Sequence, residues 1–279
     1  MPGGTTLLEQ AVSALWPWRI RQPIHRSWGW VLGVLPILLA LALWAALTRG
    51  EAEERVISPV ILPSPFEVVG SFHSLWFDRA FSRSAVTSFV RVVVGFTIGV
   101  AVALPVGIGM GSFEPVRAMF RPMALLFGYL PIPAIVPLTL SLFGIGELQK
   151  VMFLAIAFFV YLLPLVVKAI DDVDSVYLQT AFTLGASVAQ AVYKVLVPIA
   201  WPDIFQAMRN GFGVGWGYIL LAEMVAAEQG LGNLIIVSQR RGPREHIYLV
   251  LIAITLIAFG TDRLWARAGR WLFPYREMV

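Results

Sequence analysis

Residues 28–48, WGWVLGVLPILLALALWAALT, contain no Lys, Arg, Asp or Glu. A stretch of this length and composition cannot be one face of an amphipathic surface helix, and it matches the roughly 20 apolar residues needed to cross about 30 Å of hydrocarbon. Three further uncharged blocks follow, Val92 to Phe113, Pro122 to Gly146 and Val151 to Val167. Two weaker ones complete a set of six: Asn210 to Ala227, interrupted by Glu223, and Ile247 to about Ala266, with Asp262 and Arg263 near its end. The whole chain agrees with its parts, since 58% of its 279 residues are hydrophobic, 14% are charged and the mean hydropathy is +0.77. Soluble domains carry roughly 25% charged residues. The fold class read here is therefore all-α integral membrane.

Orientation follows from the basic ends. Arg19, Arg21, Arg26, Arg267, Arg270 and Arg276 flank the set, and six spans put both termini on one side, which positive charge places in the cytoplasm. Arg117, Arg121, Lys168 and Lys194 in short connections agree, while Arg49, Arg55, Arg79, Arg83, Lys150, Arg240, Arg241 and Arg244 on the outer side weaken the bias. A net charge of +4 beside anionic headgroups needs no nucleic acid. The first apolar block is longer than a signal-peptide core and lacks a small-residue cleavage site, so a retained anchor is expected. Zero cysteines exclude disulfides, thiolate metal sites and cysteine nucleophiles.

The expected organisation is a cytoplasmic tail (1–27), a first span and outer connection (28–83) and a membrane core (84–279) with a loop over 171–200. In the outer connection Ser64-Pro65-Phe66-Glu67 reads as a helix start, with Ser64 as cap and proline at the first helical position. About 40 residues, Lys168 to Arg209, separate the fourth and fifth spans, far more than two neighbouring helices need. An acidic patch (Asp171, Asp172, Asp174) leads to a helical run through Gln179 to Leu184. Gly185 lets the chain turn, a second run covers Ala186 to Lys194, and Pro198 is expected to stop or redirect it. A short helix held across the cytoplasmic face results, either a docking lever for a soluble partner or an amphipathic linker on the bilayer.

Gln179-Thr180-Ala181, Gly185, Val195 and Val197-Pro198 resemble the Glu-Ala-Ala, Gly, Ile, Leu-Pro pattern of importer permeases. Gln179 and Thr180 depart from it. Leu62-Pro63-Ser64-Pro65, Ser88-Phe89-Val90-Arg91-Val92, Leu104 to Gly111, Phe143-Gly144-Ile145-Gly146-Glu147 and Gly230-Leu231-Gly232 follow the order found in permeases of nitrate, taurine, aliphatic-sulfonate and bicarbonate importers. The chain thus resembles the transmembrane subunit of a type I ABC importer over residues 60 to 275. That resemblance implies a five-helix core plus an N-terminal helix and a coupling loop including Ala186. It implies pairing as two permease copies with two ABC ATPases and a periplasmic or lipid-anchored binding protein, in a bacterial inner membrane. ATP and Mg belong to the partner subunits. This chain has no Gly-x4-Gly-Lys-Ser/Thr loop, and no cofactor or metal is expected in it.

Costly polar or helix-breaking residues inside spans mark a solute path or a packing contact. Arg91 either draws an anion at the outer mouth or snorkels to headgroups, and Arg209 snorkels more readily. Glu223 needs a partner on another helix or subunit. Pro131, Pro133 and Pro137 make either a broken helix lining a path or a packed kink. Trp216 in the fifth span is grouped with the path residues. Glycines four apart (Gly95 and Gly99, Gly107 and Gly111, Gly211 and Gly215) permit close helix approach. An intramembrane enzyme finds little support: His25, His73 and His246 lie outside the expected spans, with neither Gly-x-Ser-x-Gly nor His-Glu-x-x-His present. A secondary transporter would want inverted repeats and midplane carboxylates, and Glu223 alone offers little.

Overall fold

The computed structural model describes residues 26–51 and 53–276. The expected tail, with Arg19 and Arg21, lies almost wholly outside the described residues. The chain is helical, with no strand among the described residues, and it divides into two compact units, the first ending at Glu67 and the second starting at Val68.

In the first unit, α1 (Arg26–Leu47) is 22 residues long, about 33 Å at 1.5 Å per residue. Residues 27–43 are exposed and apolar apart from Ser27 and the glycines, which suits lipid contact. Trp44 Nε1 donates to the Pro63 carbonyl at 2.9 Å. The expected helix start at Ser64 is present: α2 is Pro65–Gly70, the Glu67 amide donates to Ser64 Oγ at 3.3 Å, and the Ser64 amide donates to Glu67 Oε2 at 2.7 Å. Arg55 completes the corner with two bonds to the Glu67 carboxylate, at 3.1 and 2.8 Å.

The second unit opens with a π-helical turn, Ser74–Asp78, and continues as α3 (Phe81–Ser112), α4 (Glu114–Gly128), a 3-10 turn (Ile132–Ile135) and α5 (Val136–Phe143). Then come α6 (Glu147–Asp171), α7 (Ser175–Thr183), α8 (Val188–Gln190) with a π-helical continuation (Ala191–Leu196), α9 (Val197–Ala226), α10 (Leu231–Arg241) and α11 (Arg244–Leu272). The core is the pairing of α3 with α6. Gly95, Gly99, Ala103, Gly107 and Gly111 repeat every four residues on α3, so its backbone approaches α6 closely. A Cβ added at Gly95, Gly99, Gly107 or Gly111 would lie 2.5 to 2.6 Å from Leu154, Phe158, Val166 or Ile170. Gly215 of α9 meets the ring of Phe158 in the same way. Phe96 then joins three more helices through edge contacts to Phe158, Phe212 and Trp265, at 5.1, 5.2 and 5.8 Å.

Among the described residues four helices are long and apolar enough to cross a membrane: Ser27–Leu47, Phe81–Ser112, Glu147–Asp171 and Arg244–Leu272. The expected span over 122–146 is not one helix. α4 ends at Gly128, and the segment from Ile132 to Phe143 departs from it at 95°, with Pro131 and Pro133 at the break and Pro137 in the first turn of α5. Of the two readings of those prolines, the structure shows the broken helix. The expected fifth span is the second half of α9, a 30-residue helix that is not one of those four. The second span also starts earlier than expected, at Phe81, which puts Arg91 inside a helix and not at its end.

Candidate coupling segment and a buried ion cluster

Two features stand at opposite ends of the second unit, separated by α6, which at 25 residues is about 37 Å long. At one end, Asp174 caps α7 by accepting from the Val176 amide at 2.9 Å. Gln179 and Thr180 lie exposed on α7, and Ala181 is buried beneath it. The helix closes on a glycine turn: Gly185, at φ +83°, donates to Phe182 O at 2.9 Å, and the Ala186 amide donates to Ala181 O at 3.0 Å. Ser187 and Gln190 then cap each other's backbone and start α8.

Pro198 does not end the run that follows. Residues 188–226 are helical without a break, Pro198 sits in the first turn of α9, and the π-helical stretch before it relieves the i to i−4 ladder that a proline would otherwise disrupt. Val195 and Val197 are half-buried, while Ala191, Val192 and Leu196 anchor the run; Leu196 joins a small core with Val166, Ile170 and Ile204. The outward face mixes polar residues such as Gln179, Thr180 and Lys194 with several large apolar ones. Tyr177, Phe182, Val188 and Tyr193 are about half exposed or more, and Leu184 at the turn is 82% exposed.

At the other end, three of the short motifs meet. The Glu223 carboxylate is 0% exposed and accepts from Ser88 Oγ at 2.7 and 2.9 Å, from Arg91 Nη1 at 2.6 Å and from the Gly232 amide at 2.9 Å. Ser88 Oγ in turn accepts from the Leu231 amide at 2.9 Å. Arg91 Nη1 also reaches Gln229 O at 2.7 Å, and its Nε and Nη2 edge grips both oxygens of Glu147, the first residue of α6. Buried Lys150 donates to Gly146 O at 2.8 Å and lies 3.9 Å from Glu147. Gly230 and Gly232 are required here, because a Cβ on either would fall 2.4 to 2.7 Å from Glu223. Two buried cations thus pair with the buried Glu223 and the exposed Glu147, joining α3, α6, α9 and the turn into α10.

The structure brings Arg91 and Glu223 together, and Arg91 is buried at 3% exposure, so it does not snorkel. Ser88, Glu147 and Lys150 complete the cluster. Glu147 and Ser88 lay within quoted motifs, yet nothing local marked them as partners of residues 56 and 135 positions away. Arg209, also expected to snorkel, instead binds Asp262 of α11 at 2.6 and 2.9 Å. Pro131 and Pro133 are exposed at the break between α4 and α5, apart from the cluster. Trp216 is buried beside Phe89, ring centroids 6.1 Å apart.

Residues 95–264 match the family described as binding-protein-dependent transport system inner membrane component. The chain belongs to this family of ABC importer permeases. The permease is 31% identical to the taurine transport system permease protein TauC of Escherichia coli over 248 residues, 87% of this chain and 86% of the relative. It is 24% identical to the putative aliphatic sulfonates transport permease protein SsuC of Bacillus subtilis over 257 residues, 92% of each. Its fold resembles a chain of the MetNI methionine ABC transporter, with TM-score 0.63 and 20% identity, over 72% of this permease and 98% of that chain. Family and apolar helices together make it a multi-pass inner-membrane protein.

Proposed function

We propose that this permease moves a small anion into the cytoplasm by alternating access, driven by ATP hydrolysis on two separate ATPase subunits. The observation that carries the proposal is the α7–Gly185–α8 corner, a capped and anchored pair of short helices that turns apolar side chains outward at one end of the bundle. An anchored element with a greasy exposed tip suits docking, and anchoring through Leu196 to Val166 and Ile170 of α6 lets a push reach the spans. Gln179, Thr180, Ala181, Gly185, Ala186, Val195, Val197 and Pro198 are the residues we assign to this handle. The lack of a phosphate-binding loop in the chain leaves nucleotide and magnesium to the partners. Relatives named for taurine and aliphatic sulfonates support the choice of a small anion.

In the complex we propose, two copies of the permease pair, a binding protein delivers solute from outside, and both termini with the α7–α8 corner face the cytoplasm. Pro131 and Pro133, at the break, border the path. Arg91, Glu223 and the neighbouring Trp216 shape its outer end.

The test is Gly185→Trp. Nothing lies within 4 Å of an added Cβ there, so the cost inside the chain is confined to the left-handed backbone. The variant is expected to insert normally and to lose ATP-driven uptake of taurine, methanesulfonate and nitrate in vesicles carrying the whole complex. Uptake equal to wild type would overturn the assignment.

A further inference from the structure

Glu147 differs from the rest of the ion cluster. Its side chain is 66% exposed, whereas those of Arg91, Lys150 and Glu223 are 3%, 2% and 0% exposed. Glu223 is committed, with Ser88, Arg91 and Gly232 all donating to it and the glycine turn closed over it. The Nη1 side of Arg91 is likewise committed to Glu223 and Gln229 O. The Nε and Nη2 edge of Arg91 and the ammonium of Lys150 face Glu147 instead, and Lys150 makes a 2.8 Å bond to Gly146 O while carrying three N–H donors. Apart from Glu223 on the other side of Arg91, these two buried cations are covered by one exposed carboxylate. If Glu147 rotates outward, Arg91, Lys150 and Glu223 remain, a net charge of +1, with a planar fork of two donors that fits the paired oxygens of any small oxoanion. Glu147 also starts α6, whose free amides favour negative charge at that point.

We propose that Glu147 is an exchangeable carboxylate seated on an anion subsite formed by Arg91 and Lys150, and that a sulfonate, nitrate or similar oxoanion occupies the subsite when Glu147 swings out. The proposal rests on the reading that the solute is a small anion, and it adds the place where the membrane subunit holds it. Exchange keeps the buried cations paired throughout, which the protein interior demands. It also makes binding in the membrane weak, because the solute competes with a tethered carboxylate that occupies the same donors.

The test uses the permease assembled with its ATPases in detergent, without the external binding protein, titrated calorimetrically with methanesulfonate and with nitrate. Glu147→Gln is expected to bind methanesulfonate at least about tenfold more tightly than wild type, since the competing charge is gone. Glu147→Asp, whose shorter side chain seats less well while keeping the charge, is expected to fall between them. Adding Lys150→Met to Glu147→Gln is expected to remove the gain, with thermal unfolding followed in parallel to confirm an assembled complex. Equal affinity in wild type and both Glu147 variants, or a gain that survives loss of Lys150, overturns the subsite. Wild-type complex that imports none of these anions, alongside tight Lys150-dependent binding in Glu147→Gln, removes the anion reading and leaves the subsite standing.

Discussion

Glu223 shows what a single buried charge demands. Ser88, Arg91 and Gly232 all donate to its carboxylate, so Glu223→Ala removes the one fully buried counter-ion of Arg91 and leaves Ser88 and the Gly232 amide without that acceptor, while Glu147 still grips the other edge of the guanidinium. Breaking a buried pair from one side costs about 3–5 kcal/mol. Denaturant unfolding of the purified permease should show a loss of that order, and Ser88→Ala a smaller one of about 1–3 kcal/mol. Glu67 lies outside the spans and reports differently. Two bonds from Arg55 and one from the Ser64 amide pull its pKa from 4.5 to about 2. A carboxylate whose folded value is depressed stabilises the corner fully above about pH 4.5 and loses that contribution as pH falls towards 2. Carboxyl NMR should find the Glu67 midpoint near 2, and Arg55→Gln should move it upward; an unchanged midpoint would show that Arg55 is not the cause.

Helix pairs here are set by what is missing from side chains. At Gly99 an added methyl would lie 2.6 Å from Phe158 Cβ and 2.9 Å from the Ala155 carbonyl, backbone that cannot yield. Gly99→Ala is expected to cost about 1–3 kcal/mol as overpacking, whereas Gly33→Ala on α1, with nothing within 4 Å, should be neutral or slightly stabilising. Thermal unfolding of the two variants side by side makes the comparison. The uncharged runs made the helices legible in the sequence, as did Gly185 and the Ser64 cap, because each acts through near neighbours. Arg91 misled for the opposite reason. A charge beside an apolar run reads as its end, yet this one is neutralised by Glu147 and Glu223, 56 and 132 positions away, so the helix continues ten residues further back. Pro198 misled through a locally permitted exception, its place in a first helical turn after a π-helical widening.

For the whole molecule, the absence of cysteine allows a clean topology test. Leu184 at the tip of the α7–α8 corner is 82% exposed and Ile145, just before the ion cluster, is 85% exposed. Single cysteines at these positions should react with a membrane-impermeant maleimide from opposite sides, Leu184→Cys only in inside-out vesicles and Ile145→Cys only in right-side-out ones. Labelling of both from one side would remove the proposed arrangement. One mechanical corollary comes from the glycine row between α3 and α6. Two backbones meshed that closely cannot slide past each other without lifting out of register, so the pair behaves as a single girder during any transport stroke. Relative movement is left to the parts that are not meshed: the right-angled elbow at Pro131 and the arm α4, which has no buried residue at all.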